Sequence, residues 1–188
     1  MFSNVLQFLL DIFVQGYAAL LLLRFMLQWL RAPMRNPVGD ALMSLSNFIV
    51  LPARRYIPSV WQLDSATLLL ALSFEMFYLG LMLKLHDYPY ASFPLLALFA
   101  WACVKLLIMC IYFLMGALFA QAILSWVNPY TPLAPLLQAM TQRFLQPLRR
   151  VIPLLGNIDL APLILLVICQ LILLAPMTLL EGWALHLL

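Results

Sequence analysis

The sequence predicts an all-α membrane protein: four transmembrane helices forming two parallel two-helix repeats, each with an interfacial amphipathic helix in the connection between its spans. Three observations predict it. Composition is 66% hydrophobic and only 9% charged over 188 residues, where a soluble domain has roughly a quarter of its residues charged. Four apolar runs, residues 5–30, 65–85, 96–126 and 160–180, reach the roughly 20 residues a hydrocarbon core demands. One motif occurs twice: Pro52-Ala53-Arg54-Arg55-Tyr56-Ile57-Pro58 followed by Asp64 returns as Pro147-Leu148-Arg149-Arg150-Val151-Ile152-Pro153 followed by Asp159, at a constant offset of 95.

The first run has no basic segment before it, is too long for a signal sequence and lacks a small-x-small cleavage site, so it reads as a retained span. After it come Arg31, Arg35, Arg54 and Arg55; after the third run come Arg143, Arg149 and Arg150. The hairpin between the second and third runs holds only Lys84. Basic residues in short loops stay on the cytoplasmic side. The expected topology therefore has both arginine-bearing connections in the cytoplasm and both termini outside the cell membrane. The net charge of +3 follows from this placement and carries no implication of nucleic-acid binding.

The duplication extends beyond the motif. Trp29 matches Trp126, and Asn36-Pro37 matches Asn128-Pro129 as a turn opening each connection. This divides the chain into a first repeat at 1–85 and a second at 86–188. An even number of spans per repeat gives both copies one orientation, related by an axis along the membrane normal.

Each connection has a helical apolar pattern: Val38, Ala41, Leu42, Leu45, Phe48 and Ile49 in the first, and Leu133, Leu136, Leu137, Met140 and Phe144 in the second. Asp40, Ser44, Ser46 and Asn47, or Gln138, Thr141, Gln142 and Arg143, mark the opposite face, as in a helix lying in the interface. Pro52 and Pro147 are expected to end these helices, and Pro58 and Pro153 to impose an extended entry into the next span. Asp64 and Asp159 then cap the second span of each repeat, pair with arginines of their own or the other repeat, or do both.

The pairs Arg54-Arg55 and Arg149-Arg150 have three readings: topology determinants that snorkel to headgroups, a surface for anionic lipid, or a docking site for a cytoplasmic partner or anionic solute. Glu75 lies eleven residues beyond Asp64, about 16 Å into the span, and its mate is Gln170. An ionisable group at that depth is either a helix-gluing carboxyl or an ion or proton site. Arg24 sits about 7 Å from Trp29 along its span and is matched by Gln121; it either snorkels to the interface or reaches Glu75. Asp11 and Lys105 fall toward the outer ends of their spans.

Cys103, Cys110 and Cys169 lie in apolar runs without a C-x-x-C pair and read as buried thiols. His86 and His186 are both at the outer margin, which argues against a bis-histidine haem site. No metal site, cofactor or catalytic residue is expected, and an enzyme is not. Gly116 and Ala120 are the one small-xxx-small pair noted.

The doubled Pro-x-Arg-Arg-x-Ile-Pro segment before Asp, with Arg24 and Trp29 leading into Asn36-Pro37, resembles the YggT family in its two-repeat proteobacterial form. The resemblance covers nearly the whole chain; the second copy departs at Gln121, where the first has Arg24. It implies an inner-membrane protein linked to osmotic and salt stress and to potassium or ion homeostasis. It also implies an alternative role in assembly or scaffolding, through family links to haem attachment in a b-type cytochrome and to cell-division organisation. The partners expected are the bilayer with its anionic lipids, a possible second copy of the chain, and a cytoplasmic or membrane protein; nucleic acid is not expected.

Overall fold

The structure, a computed structural model, describes residues 2–58, 64–86, 95–127, 131–151 and 160–186, nearly all of them helical. Four helices are long and apolar enough to cross a membrane, at Asn4–Trp29, Ser65–Leu85, Leu95–Leu124 and Ala161–Ala184. They coincide with the expected runs to within a few residues.

The first span joins α1 (Phe2–Leu10) to α2 (Gly16–Trp29) through a π-helical turn, Asp11–Gln15. The Gly16 N–H bonds the Asp11 carbonyl, five residues back, and the flanking residues keep right-handed helical angles. The helix is therefore locally widened, not broken. The last span is built alike, with α7 (Ala161–Ile172) and α8 (Thr178–His186) joined by a π turn at Leu173–Met177. Pro176 lies in that turn, and its missing N–H accounts for the displaced bonding there.

Between these lie α3 (Pro37–Tyr56), α4 (Ser65–Leu85), α5 (Leu95–Val127) and α6 (Ala134–Val151). α5 is the spine: α2, α4, α6, α7 and α8 all pack on it. α4 is held between α2 and α5, whereas α7 touches only α5 and α6 among the longer helices. Ala18, Ala71, Ala102 and Ala117 are almost fully buried where these helices meet, and such small side chains let backbones approach where no hydrophobic driving force exists. Gly116 is not part of this packing: a Cβ built on it would meet nothing within 4 Å.

The connecting helices differ from expectation in two ways. First, α3 runs through Pro52 and α6 through Pro147. Each proline stands in the last turns and leaves the carbonyl four residues before it without its helical donor, and the helix continues past it. The first arginine pair is thus helical, and α3 stops at Ile57, whose extended backbone (φ −113°, ψ 105°) is what the following Pro58 requires. The corresponding residues after Val151, including Ile152, Pro153 and Asp159, lie outside the described residues, as do Asn128 and Pro129.

Second, the buried stripe of α3 is Gly39, Leu42, Ser46 and Val50, while Leu45, Phe48 and Leu51 are exposed. A helix at a membrane surface has two apolar neighbours, protein and lipid. Its most hydrophobic face turns to lipid, and a face containing a polar residue can turn to the protein.

α3 begins with a close-packed cap. Asn36 Oδ1 accepts the Gly39 N–H at 2.9 Å, its Nδ2 donates to the Pro33 carbonyl at 2.6 Å, and Pro37 takes the first helical position. A Cβ on Gly39 would stand 2.1 Å from the Met34 carbonyl oxygen. Gly39→Ala should therefore lower stability by about 1–3 kcal/mol, and Gly116→Ala should leave it nearly unchanged; thermal unfolding in detergent micelles measures both.

Candidate functional site

Three polar clusters sit in or against the bundle. The first explains half of the first motif copy. Arg54 forms a bidentate pair with Asp64, its Nε donating to Oδ1 at 3.2 Å and its Nη2 to Oδ2. Asp64 also caps α4, accepting the Thr67 N–H at 3.4 Å and the Thr67 hydroxyl. Burial opposes ionisation of Asp64, but the hydrogen bonds from Arg54 and Thr67 outweigh it and hold the carboxyl below its usual range. The cap and the ion pair are therefore one arrangement, within a single repeat. Arg55, Arg149 and Arg150 are exposed.

The second cluster ties each connecting helix to the span before it. Arg24, 3% exposed, donates from Nη1 to the Ser46 hydroxyl and to Asn47 Oδ1 at 2.9 Å. In the second repeat the Thr141 hydroxyl donates to Gln121 Oε1 at 2.7 Å. Ser46 and Thr141 are both fully buried and lie 95 residues apart, the offset of the motif. Arg24 and Gln121 are thus equivalent in role despite their different charge: each fastens the hydroxyl of its own α3 or α6. Arg24 does not reach Glu75, whose carboxylate oxygens have no hydrogen-bond partner. Ser46 and Thr141 were read in the sequence as part of the polar, outward face, because periodicity gives the angle between residues but not which arc meets protein.

The third cluster surrounds Glu75, midway along α4. Glu75 is 0% exposed and both its carboxylate oxygens are unpartnered. Gln15, in the π turn, approaches it without hydrogen-bond geometry, and Lys105 of α5 acts on it through space. Beside them a cavity of about 360 Å³ opens between Asp11, Gln15, Lys105 and Tyr112. The Tyr78 hydroxyl donates to Asp11 Oδ1 at 2.7 Å. Lys105 Nζ pairs with Glu181 at 2.6 Å, and Trp101 Nε1 donates to the same carboxyl at 3.2 Å. Two carboxyls and one ammonium, Asp11, Glu181 and Lys105 from three separate spans, therefore gather on the side of Glu75 away from the arginine-bearing connections.

Gln170 is not brought to Glu75. It is exposed on α7, whose buried residues are Ala161, Leu165 and Cys169. The depths match, but the surroundings do not, since α4 is central and α7 is at the edge. Glu181 and Tyr78 were not singled out by the sequence, Glu181 because the last apolar run was read as ending at residue 180. The one available signal was Asp11, an acid inside a span that needed a donor.

Glu75 is thus the one acid of this cluster with buried, unpartnered oxygens among the described residues, and an ionisable group so placed is a candidate functional site. Among the described residues no group of three or more His, Cys, Asp or Glu side chains is placed to hold a metal ion.

The model of the CCB3/YggT family matches residues 3–85 and again 100–180. The chain belongs to that family. The doubled match agrees with the internal repeat. Similar proteins include "Uncharacterized protein YggT" from Escherichia coli, 30% identical over 170 residues, or 90% of this chain and 87% of the relative. Another, "Uncharacterized protein in proC 3'region" from Vibrio alginolyticus, is 30% identical over 87% of this chain and 89% of the relative. No solved structure matches.

The double role of Asp64 can be separated. Asp64→Ala removes cap and ion pair and should cost about 1–2 kcal/mol, while Asp64→Asn keeps a capping oxygen and should cost under about 1 kcal/mol, since Arg54 is largely exposed. A carboxyl whose folded pKa is depressed contributes stability above its unfolded value and loses it as pH falls through the folded one. Thermal unfolding of the wild type should therefore weaken below about pH 4, and Asp64→Asn should flatten that decline.

Proposed function

We propose that this chain is a non-enzymatic multi-pass protein of the bacterial inner membrane that serves ion homeostasis, potassium in particular, under osmotic and salt stress, by handling cations in the bilayer. The observation that carries the reading is Glu75, fully buried at mid-span with both oxygens unpartnered, near a cavity to which Asp11, Gln15 and Lys105 contribute polar groups. A carboxyl fixed at that depth costs too much to keep without a use, and helix gluing would require the hydrogen bonds it lacks. In this reading Asp11 and Gln15 line the approach, and the Lys105–Glu181 pair sets the local charge.

The family resemblance supports the stress and ion association. The positive-inside rule supports cytoplasmic arginine-rich connections and periplasmic termini. Protein reconstituted in liposomes should pass potassium or protons under an imposed gradient. Glu75→Gln, which keeps the shape and removes the charge, should reduce that flux at least tenfold. A wild type that gives no flux over a range of lipids and potentials would defeat the reading.

A second reading is favoured by one observation: Arg55 and Arg150 are exposed on the last turn of helices that Ser46 and Thr141 fasten to the bundle. Rigidly presented cations of this kind suit an assembly or scaffold factor, acting in cytochrome haem attachment or in cell division, that docks a partner protein or anionic lipid. Each basic residue near an anionic surface contributes about 1 kcal/mol. Changing Arg54, Arg55, Arg149 and Arg150 together to Gln should then cut binding to anionic vesicles by more than about a hundredfold, with Glu75→Gln binding as the wild type does. Protease mapping must first show that the quadruple variant keeps its topology.

A further inference from the structure

α7 carries a polar side chain where a single copy of the protein leaves it facing hydrocarbon. Gln170 lies nine residues beyond Ala161, about 14 Å along the helix. That places it near the midplane of the apolar span Ala161–Ala184. Its side chain is exposed. The residues around it on the same face are apolar and also exposed: Leu163 at 61%, Val167 at 51% and Leu174 at 64%. An amide there has no water and cannot reach either interface, so its two donors and its carbonyl must be satisfied by protein.

The spacing of these residues is 4-3-4: Leu163, Val167, Gln170, Leu174. At about 100° per residue the three in α7 fall within an arc of roughly 60°, opposite the buried stripe Ala161, Leu165 and Cys169, and Leu174 follows them in the π turn. This is the seam of a helix pair, with a polar residue at its centre that fixes the register. We infer that the Leu163–Val167–Gln170–Leu174 face of the last span is a homodimer interface in which Gln170 of one copy meets Gln170 of its partner.

The committed occupant is a second copy for two reasons. A primary amide is self-complementary: each Gln170 can donate its NH₂ to the other's carbonyl and accept in return. Copies in one membrane also share an orientation, so a two-fold axis along the membrane normal brings the same residue from each copy together. An apolar partner helix would leave the amide unpaired. The inference does not rest on ion transport.

The test uses the full-length protein in liposomes, labelled for single-molecule photobleaching and measured over a range of lipid-to-protein ratios. The wild type should show a concentration-dependent dimer. Gln170→Leu, which makes the span more apolar and so does not threaten insertion, should weaken the dimer by roughly five- to thirtyfold, the range for interhelical amide bonding in lipid. Gln170→Asn should retain part of it. In a background with Cys103, Cys110 and Cys169 replaced, Gln170→Cys should crosslink to itself on oxidation. Leu107→Cys, exposed on α5, should not. A monomer at every ratio, equal crosslinking at both positions, or a Gln170→Leu dimer as tight as the wild type would overturn the interface. Crosslinking of Gln170→Cys only to a different protein in native membranes, with the purified protein monomeric, would overturn it in favour of a heterologous partner.

Discussion

A bilayer offers no water to a polar side chain, so each one inside these spans needs a partner from the protein. That constraint organises the bundle more than apolar packing does, because helix and lipid surfaces are equally apolar and separate no face by hydrophobicity alone. Arg24 finds Ser46 and Asn47; Asp11 finds Tyr78; Lys105 finds Glu181; Gln121 finds Thr141. Each pairing crosses between elements distant in sequence. Together they fix how α3 and α6 lie on their spans and how the first and last spans lie against α4 and α5. Against this background two side chains stand out. Glu75 is buried without a partner, and Gln170 is exposed in hydrocarbon. They are a matched pair in the duplicated sequence, and neither is satisfied within one chain.

Duplication explains why the two positions match and packing explains why they part. Both repeats conserve the local device that fastens a connecting helix, so Ser46 and Thr141 are buried alike although Arg24 and Gln121 differ in charge. Beyond that scale the repeats are not equivalent. α4 lies between α2 and α5, while α7 has α5 on one side and open surface on the other. A polar residue at equal depth therefore becomes a buried acid in one copy and a lipid-facing amide in the other.

The spans, the repeat, the cap at Asp64 and its pairing with a motif arginine were legible in the sequence. They depend on local chemistry: run length, capping residues, and a fixed spacing between Arg54 and Asp64. What was not legible depends on which arc of a helix meets protein. The apolar pattern of α3 marked an interfacial helix but not which arc meets protein: Leu45 and Phe48 are exposed and Ser46 is buried. In a membrane the usual inference from apolar to buried fails, and Ser46 is the better marker because it cannot face lipid cheaply. The course of α3 through Pro52 differs from expectation because a proline costs a helix one hydrogen bond and a bend without having to end it. Glu181 was missed because hydropathy fades before the helix does. The role of Tyr78 became visible only once the π turn had placed Asp11 against it.

The positions of Glu75 and Gln170 also bear on each other. α4 and α7 both pack on α5, on different sides of it, and the proposed seam points away from α5. Dimerisation through Gln170 would therefore leave the two Glu75 sites apart, each inside its own copy, with no shared pore on the two-fold axis. A cation or proton reaching Glu75 would instead enter from the cavity lined by Asp11, Gln15 and Lys105, past the π turn that widens the first span. Asp11 and Gln15, four residues apart, share one face of that turn, and both line the cavity. The dimer would in that case give stability and register, while the chemistry stays within one protomer. Disrupting the seam and neutralising Glu75 should then act independently of one another, which a common axial pore would not allow.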